Sequence, residues 1–126
     1  MEHLQIKGTK LSPLVDFNAD TGKMELSGRS IPENSYEFYN PLLEWISAYA
    51  QNPHETTELK VYLEYFNTSS SKYILEVLKR LKEILKNNGT VKVLWCYDED
   101  DEEMMETGED YEDVTGLDFD YQEIEE

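Results

Sequence analysis

Between residues 58 and 67 the chain reads ELKVYLEYFN, with Leu59, Val61, Leu63 and Tyr65 on one side and Lys60, Tyr62, Glu64 and Phe66 on the other. A period of two predicts a strand with one apolar face. From Ser71 the period changes. Ile74, Val77, Leu78, Leu81, Ile84 and Leu85 recur at spacings of three and four, while Lys72, Glu76, Lys79, Lys82, Glu83 and Lys86 lie off that stripe. This is the pattern of an amphipathic helix. Asn87, Asn88 and Gly89 stop it, because Asn and Gly tolerate left-handed backbone. TVKVLWCYD, at 90–98, is a second and more deeply buried strand. Strand, helix, strand predicts a βαβ unit in which 58–66 and 90–97 run parallel, joined by a right-handed crossover.

The first third reads as strands. LQIK and LVDFN are short β-compatible runs, and VDFNADTGKMELSG places a polar, Gly-containing turn between apolar segments, a hairpin pattern. Two or three strands fit before Gly28. Next, Phe38, Leu42, Trp45, Ile46 and Tyr49 recur at helical spacing, with Asn34 or Ser35 able to cap. Pro41 offers a second start, with Asn40 as cap, since proline lacks a backbone donor and disfavours helix at the residue before it. Pro53 closes the helix. In the last quarter, DEEMMETGEDYEDVTG suits a short acidic helix and LDFDYQEI a final strand. Met104, Met105, Tyr111, Val114, Leu117 and Phe119 are too many apolar residues for a disordered acidic tract, so much of this segment is expected to pack.

At 126 residues the chain is long enough for one domain, 1–126, with a real core. The charge changes the picture more than the length does. Of 28 acidic residues, 16 lie in 98–126, which has no Lys or Arg, whereas 1–97 carry 12 acids against 11 bases. Such a field repels phosphate backbones and anionic lipid, which argues against nucleic-acid and membrane-surface binding and favours a basic protein partner. No apolar stretch approaches the roughly 20 residues of a membrane span, and MEHLQIKGTK has no basic region followed by an apolar run. A cytoplasmic location without membrane insertion is expected. Cys96 is alone in an apolar stretch, which predicts a buried structural thiol and no disulfide.

Candidate catalytic chemistry is sparse. His3 and His54 sit in poor contexts for a metal or a hydrolytic triad, and H-E-x-x-H, C-x-x-C, phosphate-loop and G-x-S-x-G patterns are absent. DEDDEE at 98–103 superficially resembles a calcium loop but lacks the glycine at its sixth position. The sequence therefore predicts no metal, no cofactor and no enzyme. What stands out is FNTSSSK, where Asn67, Thr68, Ser69, Ser70 and Ser71 join a strand to a helix. The first amides of a helix are unpaired, and one hydroxyl or amide side chain there caps them for about 1 kcal/mol. A cap does not need three further hydroxyls. Unpaired amides and the helix dipole also favour an anion at that position, so the fold would tolerate a phosphate there. A partner need not. A phosphate brings about −1.5 to −2 charges, and burying it unpaired in an interface costs several kcal/mol. The residues alone do not choose which hydroxyl is modified.

SGRSIPEN, NPLLEWISAY, LEYFNTSSSKYILEVLKRL and WCYDEDDEEMMETGEDY, in that order over nearly the whole chain, resemble the SiaC family of bacterial regulatory phosphoproteins. The resemblance implies a fold and logic like those of STAS-type anti-anti-sigma factors. It also implies a partner-switch adaptor of cyclic di-GMP and biofilm signalling. In that scheme a serine/threonine protein kinase phosphorylates one threonine, a PP2C-type phosphatase removes the phosphate, and the unmodified form activates a diguanylate cyclase. The motif places the phosphorylated threonine at Thr68, with Asn67, Ser69 and Ser70 as the switch loop and Lys72 one turn into the helix. Arg29 and Glu33, in RSIPEN, are expected near the same end of the sheet as partner contacts.

The expected architecture is thus α/β, a STAS-like mixed sheet with helices mainly on one face, carrying a phospho-switch. The competing reading, from the charge distribution, is a constitutive acidic scaffold or inhibitor that holds a basic partner through 98–126.

Overall fold

The computed structural model describes residues 1–125. Its strands are β1 (Leu4–Ile6), β2 (Leu14–Asn18), β3 (Lys23–Ser30), β4 (Thr56–Phe66), β5 (Thr90–Asp98) and β6 (Asp118–Ile124), and its helices are α1 (Ser35–Tyr49), α2 (Thr68–Lys82) and α3 (Glu102–Thr115). The strands form one mixed sheet in chain order. β1–β2–β3 is an antiparallel meander, and β3–β4–β5–β6 are parallel. Each parallel step carries one helix and moves to the next strand in the same direction. Right-handed crossovers then put all three helices on one face, where α1 packs on α2 and α2 on α3. The N-termini of α1, α2 and α3 consequently gather at the rim formed by the carboxyl ends of β3, β4 and β5.

Alternation explains the core. Phe17, Leu26, Leu59, Val61, Leu63, Val93 and Trp95 leave the sheet on the helical face and are almost fully buried against Leu42, Ile46, Ile74, Leu78 and Leu81. Lys60, Glu64 and Lys92 occupy the open face and are exposed. The βαβ expectation for 58–66 and 90–97 matches, with Leu59 opposite Val93 and Val61 opposite Trp95 in parallel register.

Three expectations change. The alternation of β4 breaks near its end, where Gly28 pairs with Leu63 but Arg29 pairs with Tyr65, leaving Glu64 as an extra residue. This bulge reverses the faces. Phe66, not Tyr65, packs against the core, and Tyr65 is 51% exposed. The second helix starts at Thr68 rather than Ser71, because Asn67 caps it; the polar first turn simply carries no apolar stripe. At its other end α2 tightens into a 3₁₀ turn, Glu83–Asn87, which turns Leu85 out to 40% exposure while Ile84 stays buried. Asn88, left-handed at φ 63°, ends that turn.

In α1, Asn34 is the cap and the helix runs through Pro41. The carbonyl that Pro41 leaves unpaired is that of Glu37, and both residues are exposed, so water can take the missing donor's place. The acidic segment packs as expected, as α3 and β6. Met104, Tyr111, Leu117 and Phe119 join the core, Met105 is half-buried, and Val114 faces solvent at 63% exposure.

Gly108 lets α3 close on the sheet: a Cβ built there would lie 2.5 Å from the Trp95 ring. The Trp95 indole N–H donates to the Met104 carbonyl at 2.8 Å, fixing the same contact. Cys96 is buried, and burial pushes its thiol pKa up. No helix among the described residues is long and apolar enough to cross a membrane.

Candidate functional site

The end of β4 delivers the loop to the rim. Asn67 is pinned by its backbone N–H to the Ser30 carbonyl at 3.1 Å, so the last residue of β3 fixes where α2 begins. The Asn67 side-chain oxygen accepts the Ser70 N–H at 2.9 Å, which makes it the N-cap.

The four hydroxyls that follow have four different environments. Ser70 is fully buried; its hydroxyl donates to the Ser30 carbonyl at 2.9 Å and lies 2.8 Å from the Ser30 hydroxyl, which in turn is 2.6 Å from that of Tyr39. Ser69, exposed, lies 2.6 Å from the Ser35 hydroxyl at the start of α1 and reaches the Asn67 side-chain oxygen at 3.2 Å. The Ser71 hydroxyl folds back onto the Thr68 carbonyl at 2.7 Å. Thr68 is exposed at the first helical position, and its hydroxyl makes no hydrogen bond within the described residues. Among the four, it alone is both accessible and free.

Beneath the loop the polar network is closed by aromatics. Tyr39 is wholly buried and stacks on Tyr73, centroids 5.6 Å apart and planes 2° from parallel. Burial pushes the Tyr39 phenol up to about 12, against the smaller, opposite pull of its hydrogen bonds with Ser30 and Ser70. Tyr111 of α3 donates to the Ser71 carbonyl at 2.9 Å, and its pKa is also raised, chiefly by burial. Three elements therefore hold the loop: β3 through Ser30, α1 through Ser35, and α3 through Tyr111.

Of the residues expected from sequence, Asn67, Thr68, Ser69, Ser70 and Arg29 meet at the rim. Arg29 turns to the open face of the sheet, its guanidinium 6.0 Å from the centroid of the Tyr65 ring. Lys72 is exposed one turn further along α2, and Glu33 is exposed in the connection between β3 and α1, two residues before the helix. Two exposed aromatics at this rim were not legible as site residues. Tyr65 is turned out by the bulge, and Tyr36, at 61% exposure, sits beside Ser35 in the first turn of α1. Ser30 and Ser35 were likewise missed as supports of the loop, although Ser30 lies in the RSIPEN stretch expected near this rim and Ser35 directly follows it.

The other motifs resolve differently. His3 pairs with Asp16, Asp98 accepts the Tyr62 hydroxyl at 2.5 Å, and Asp101 caps α3 by accepting the Met104 N–H at 3.0 Å. No group of three or more His, Cys, Asp or Glu residues among the described residues is placed to hold a metal ion.

Exposed tyrosines, an arginine over one of their rings and free polar groups on a braced rim have the composition of a protein-binding surface. The fold is that of a small two-layer α/β protein with a hydroxyl-rich helix start at its rim. More particularly, the chain belongs to the SiaC family of regulatory phosphoproteins, whose model matches residues 6–124. The description of that family makes it a regulatory protein.

Solved structures of SiaC from Pseudomonas aeruginosa are similar throughout. One is 29% identical, with TM-score 0.89 over 98% of this chain and 100% of the other. Another shows diguanylate cyclase SiaD in complex with its activator SiaC; its matching chain is 30% identical, with TM-score 0.89 over 96% of this chain and 99% of that one. A protein of Pseudomonas aeruginosa strain UCBPP-PA14 is 30% identical over 119 residues, 94% of each chain.

Proposed function

We propose that this protein is a phosphorylation-controlled adaptor of cyclic di-GMP signalling. Its unmodified form binds and activates a diguanylate cyclase, and Thr68 is the switch. A serine/threonine kinase transfers the γ-phosphoryl group of a nucleoside triphosphate to the Thr68 Oγ; the phosphorus–oxygen bridge to the β-phosphate breaks and the hydroxyl proton is released. A PP2C-type phosphatase reverses the state by hydrolysis, freeing inorganic phosphate. The adaptor works in the cytoplasm, and its acidic surface keeps it off nucleic acid and anionic membranes.

The observation that carries this reading is the difference among the four hydroxyls. Ser69, Ser70 and Ser71 are engaged within the chain, whereas Thr68 is exposed and free at the head of α2. The membership of a regulatory phosphoprotein family, and the activator role of SiaC in the SiaD complex, supply the class of event and of partner. Asn67, Ser69, Arg29, Glu33 and Lys72 frame the contact surface, with Tyr36 and Tyr65 as its aromatic anchors; Ser70, expected among the contacts, is buried beneath it and only supports the loop. A dianionic phosphate buried in that contact without a cation opposite costs several kcal/mol. At about 1.4 kcal/mol per tenfold, that is a loss of two or more orders of magnitude in affinity.

The test is activation of the diguanylate cyclase from the same cell, read as cyclic di-GMP formed per unit time. Thr68→Ala is expected to activate like the unmodified protein, and Thr68→Glu or Thr68-phosphorylated protein to bind at least tenfold more weakly. Equal activation by the phosphorylated and unmodified proteins would overturn the proposal.

A further inference from the structure

Lys72 lies four residues after Thr68 on α2, and both side chains are exposed. Residues four apart on a helix are surface neighbours, and a long helical side chain leans back over the preceding turn. From position 72 a lysine stem is therefore within reach of residue 68. Its ammonium forms no ion pair among the described residues; Glu76, one turn further on, lies instead 3.9 Å from Lys79.

The charge of the first turn points the same way. α1 begins with Glu37 and α3 with Glu102 and Glu103, as the positive end of a helix dipole favours. α2 has no acid in its first turn, in a chain with 28 of them. A phosphate on Thr68 would supply that charge, with the anion on the N-terminal side of the cation, the favourable order for a pair at this spacing.

We infer that Lys72 is the positioning residue for the Thr68 phosphate: in the modified protein its ammonium pairs with the phosphate along α2 and holds it against the helix start. The inference rests on Thr68 as the modified residue. It adds that modification tightens the switch helix instead of fraying it, so that the phosphorylated adaptor is a well-folded state with its phosphate held in one place. The arrangement also separates Thr68 from its neighbours. Ser70 and Ser71 have Tyr73, Ile74 or Leu75 at the helical spacings of three and four. Ser69 has Lys72 three residues on, but its hydroxyl is engaged by Ser35 and Asn67.

The experiment uses the full chain with phosphothreonine placed at residue 68 during translation, so that it needs no kinase. Thermal unfolding is followed for unmodified and phosphorylated protein, each with Lys72, Lys72→Ala and Lys72→Arg. Phosphorylation is expected to raise the midpoint by about 2 °C with Lys72, to lose most of that gain with Lys72→Ala, and to regain it with Lys72→Arg. A change on Lys72→Ala that is equal in both forms means a merely structural lysine and overturns the inference, as does a phosphate that lowers the midpoint whatever stands at 72. The cyclase assay reads the other question. A phosphate that still blocks activation without coupling to Lys72 sinks this inference alone, whereas a coupled phosphate without effect on the cyclase sinks the switch and leaves the pairing.

Discussion

The hydroxyls of Ser35 and Ser69 lie 2.6 Å apart, one on the first residue of α1 and the other on the second residue of α2. Two helix starts separated by 34 residues of sequence are thereby joined at their tips, and the free hydroxyl of Thr68 stands next to the joint. Rigidity of the loop is thus a property of α1 as much as of α2.

Ser35→Ala should loosen that joint without unfolding the protein. A net hydrogen bond is worth roughly 0.5–1.5 kcal/mol, so the global loss is small, while amide exchange of residues 67–71 should rise. Ser70→Ala should cost more, about 1–3 kcal/mol, because it leaves buried groups of Ser30 without their partner. Denaturant titration and hydrogen exchange together separate the two; equal losses for both variants would contradict the difference in burial.

Asn67 rather than Thr68 caps α2, which assigns the stability of the helix start to a residue other than the switch. Asn67→Ala should cost about 1 kcal/mol, and Asn67→Asp should restore most of it. Thr68→Ala should stay within about 0.5 kcal/mol of the unmodified protein, as expected for a surface substitution that removes no contact. A Thr68→Ala loss as large as that of Asn67→Ala in urea unfolding would show that the cap is misassigned.

Gly108→Ala tests the closeness of α3 to the sheet. The added methyl would meet the Trp95 ring at 2.5 Å, so overpacking of about 1–3 kcal/mol is expected. The near-ultraviolet signal of Trp95 should change with it, since the indole also donates to Met104.

Alkaline pH should destabilise the fold through Tyr39. Its folded-state value, about 12, lies above the 10.0 of an ordinary tyrosine, so between these limits the unfolded chain loses a proton that the folded chain keeps. Stability is therefore complete below about pH 10 and falls as the pH rises towards 12. Unfolding midpoints measured from pH 8 to 12 should show this, and Tyr39→Phe should flatten the part due to this residue. Burial raises Tyr111 in the same direction, so a residual slope is expected in that variant.

Much of the architecture was legible because periodicity reports burial. The stripes of α2 and β5 and the packing residues of the acidic segment follow from it, and all three helices lie on the face that parallel crossovers dictate. Where the reading failed, a non-local cause won. Nothing within ELKVYLEYFN marks the extra residue at Glu64, since a bulge is a relation between two strands and its partner is Gly28. Thr68–Ser71 carries no apolar stripe, so the first turn of α2 was hidden. The loop was recognisable as a helix start rich in hydroxyls, but the distinction among those hydroxyls was not. It is made by Ser30, Ser35 and Tyr39, which are 31 to 40 residues from the serines they touch and adjacent to them in space.

The bulge at Glu64 also acts as a seam between two kinds of sequence constraint. Before it, every second side chain of β4 is committed to the core, and a change there is vetoed by packing. After it, the strand is released from that alternation, and its next residues supply the outward tyrosine, the cap and the free threonine within four positions. Substitutions downstream of the seam can therefore alter the surface of this rim while the packed interior upstream stays untouched.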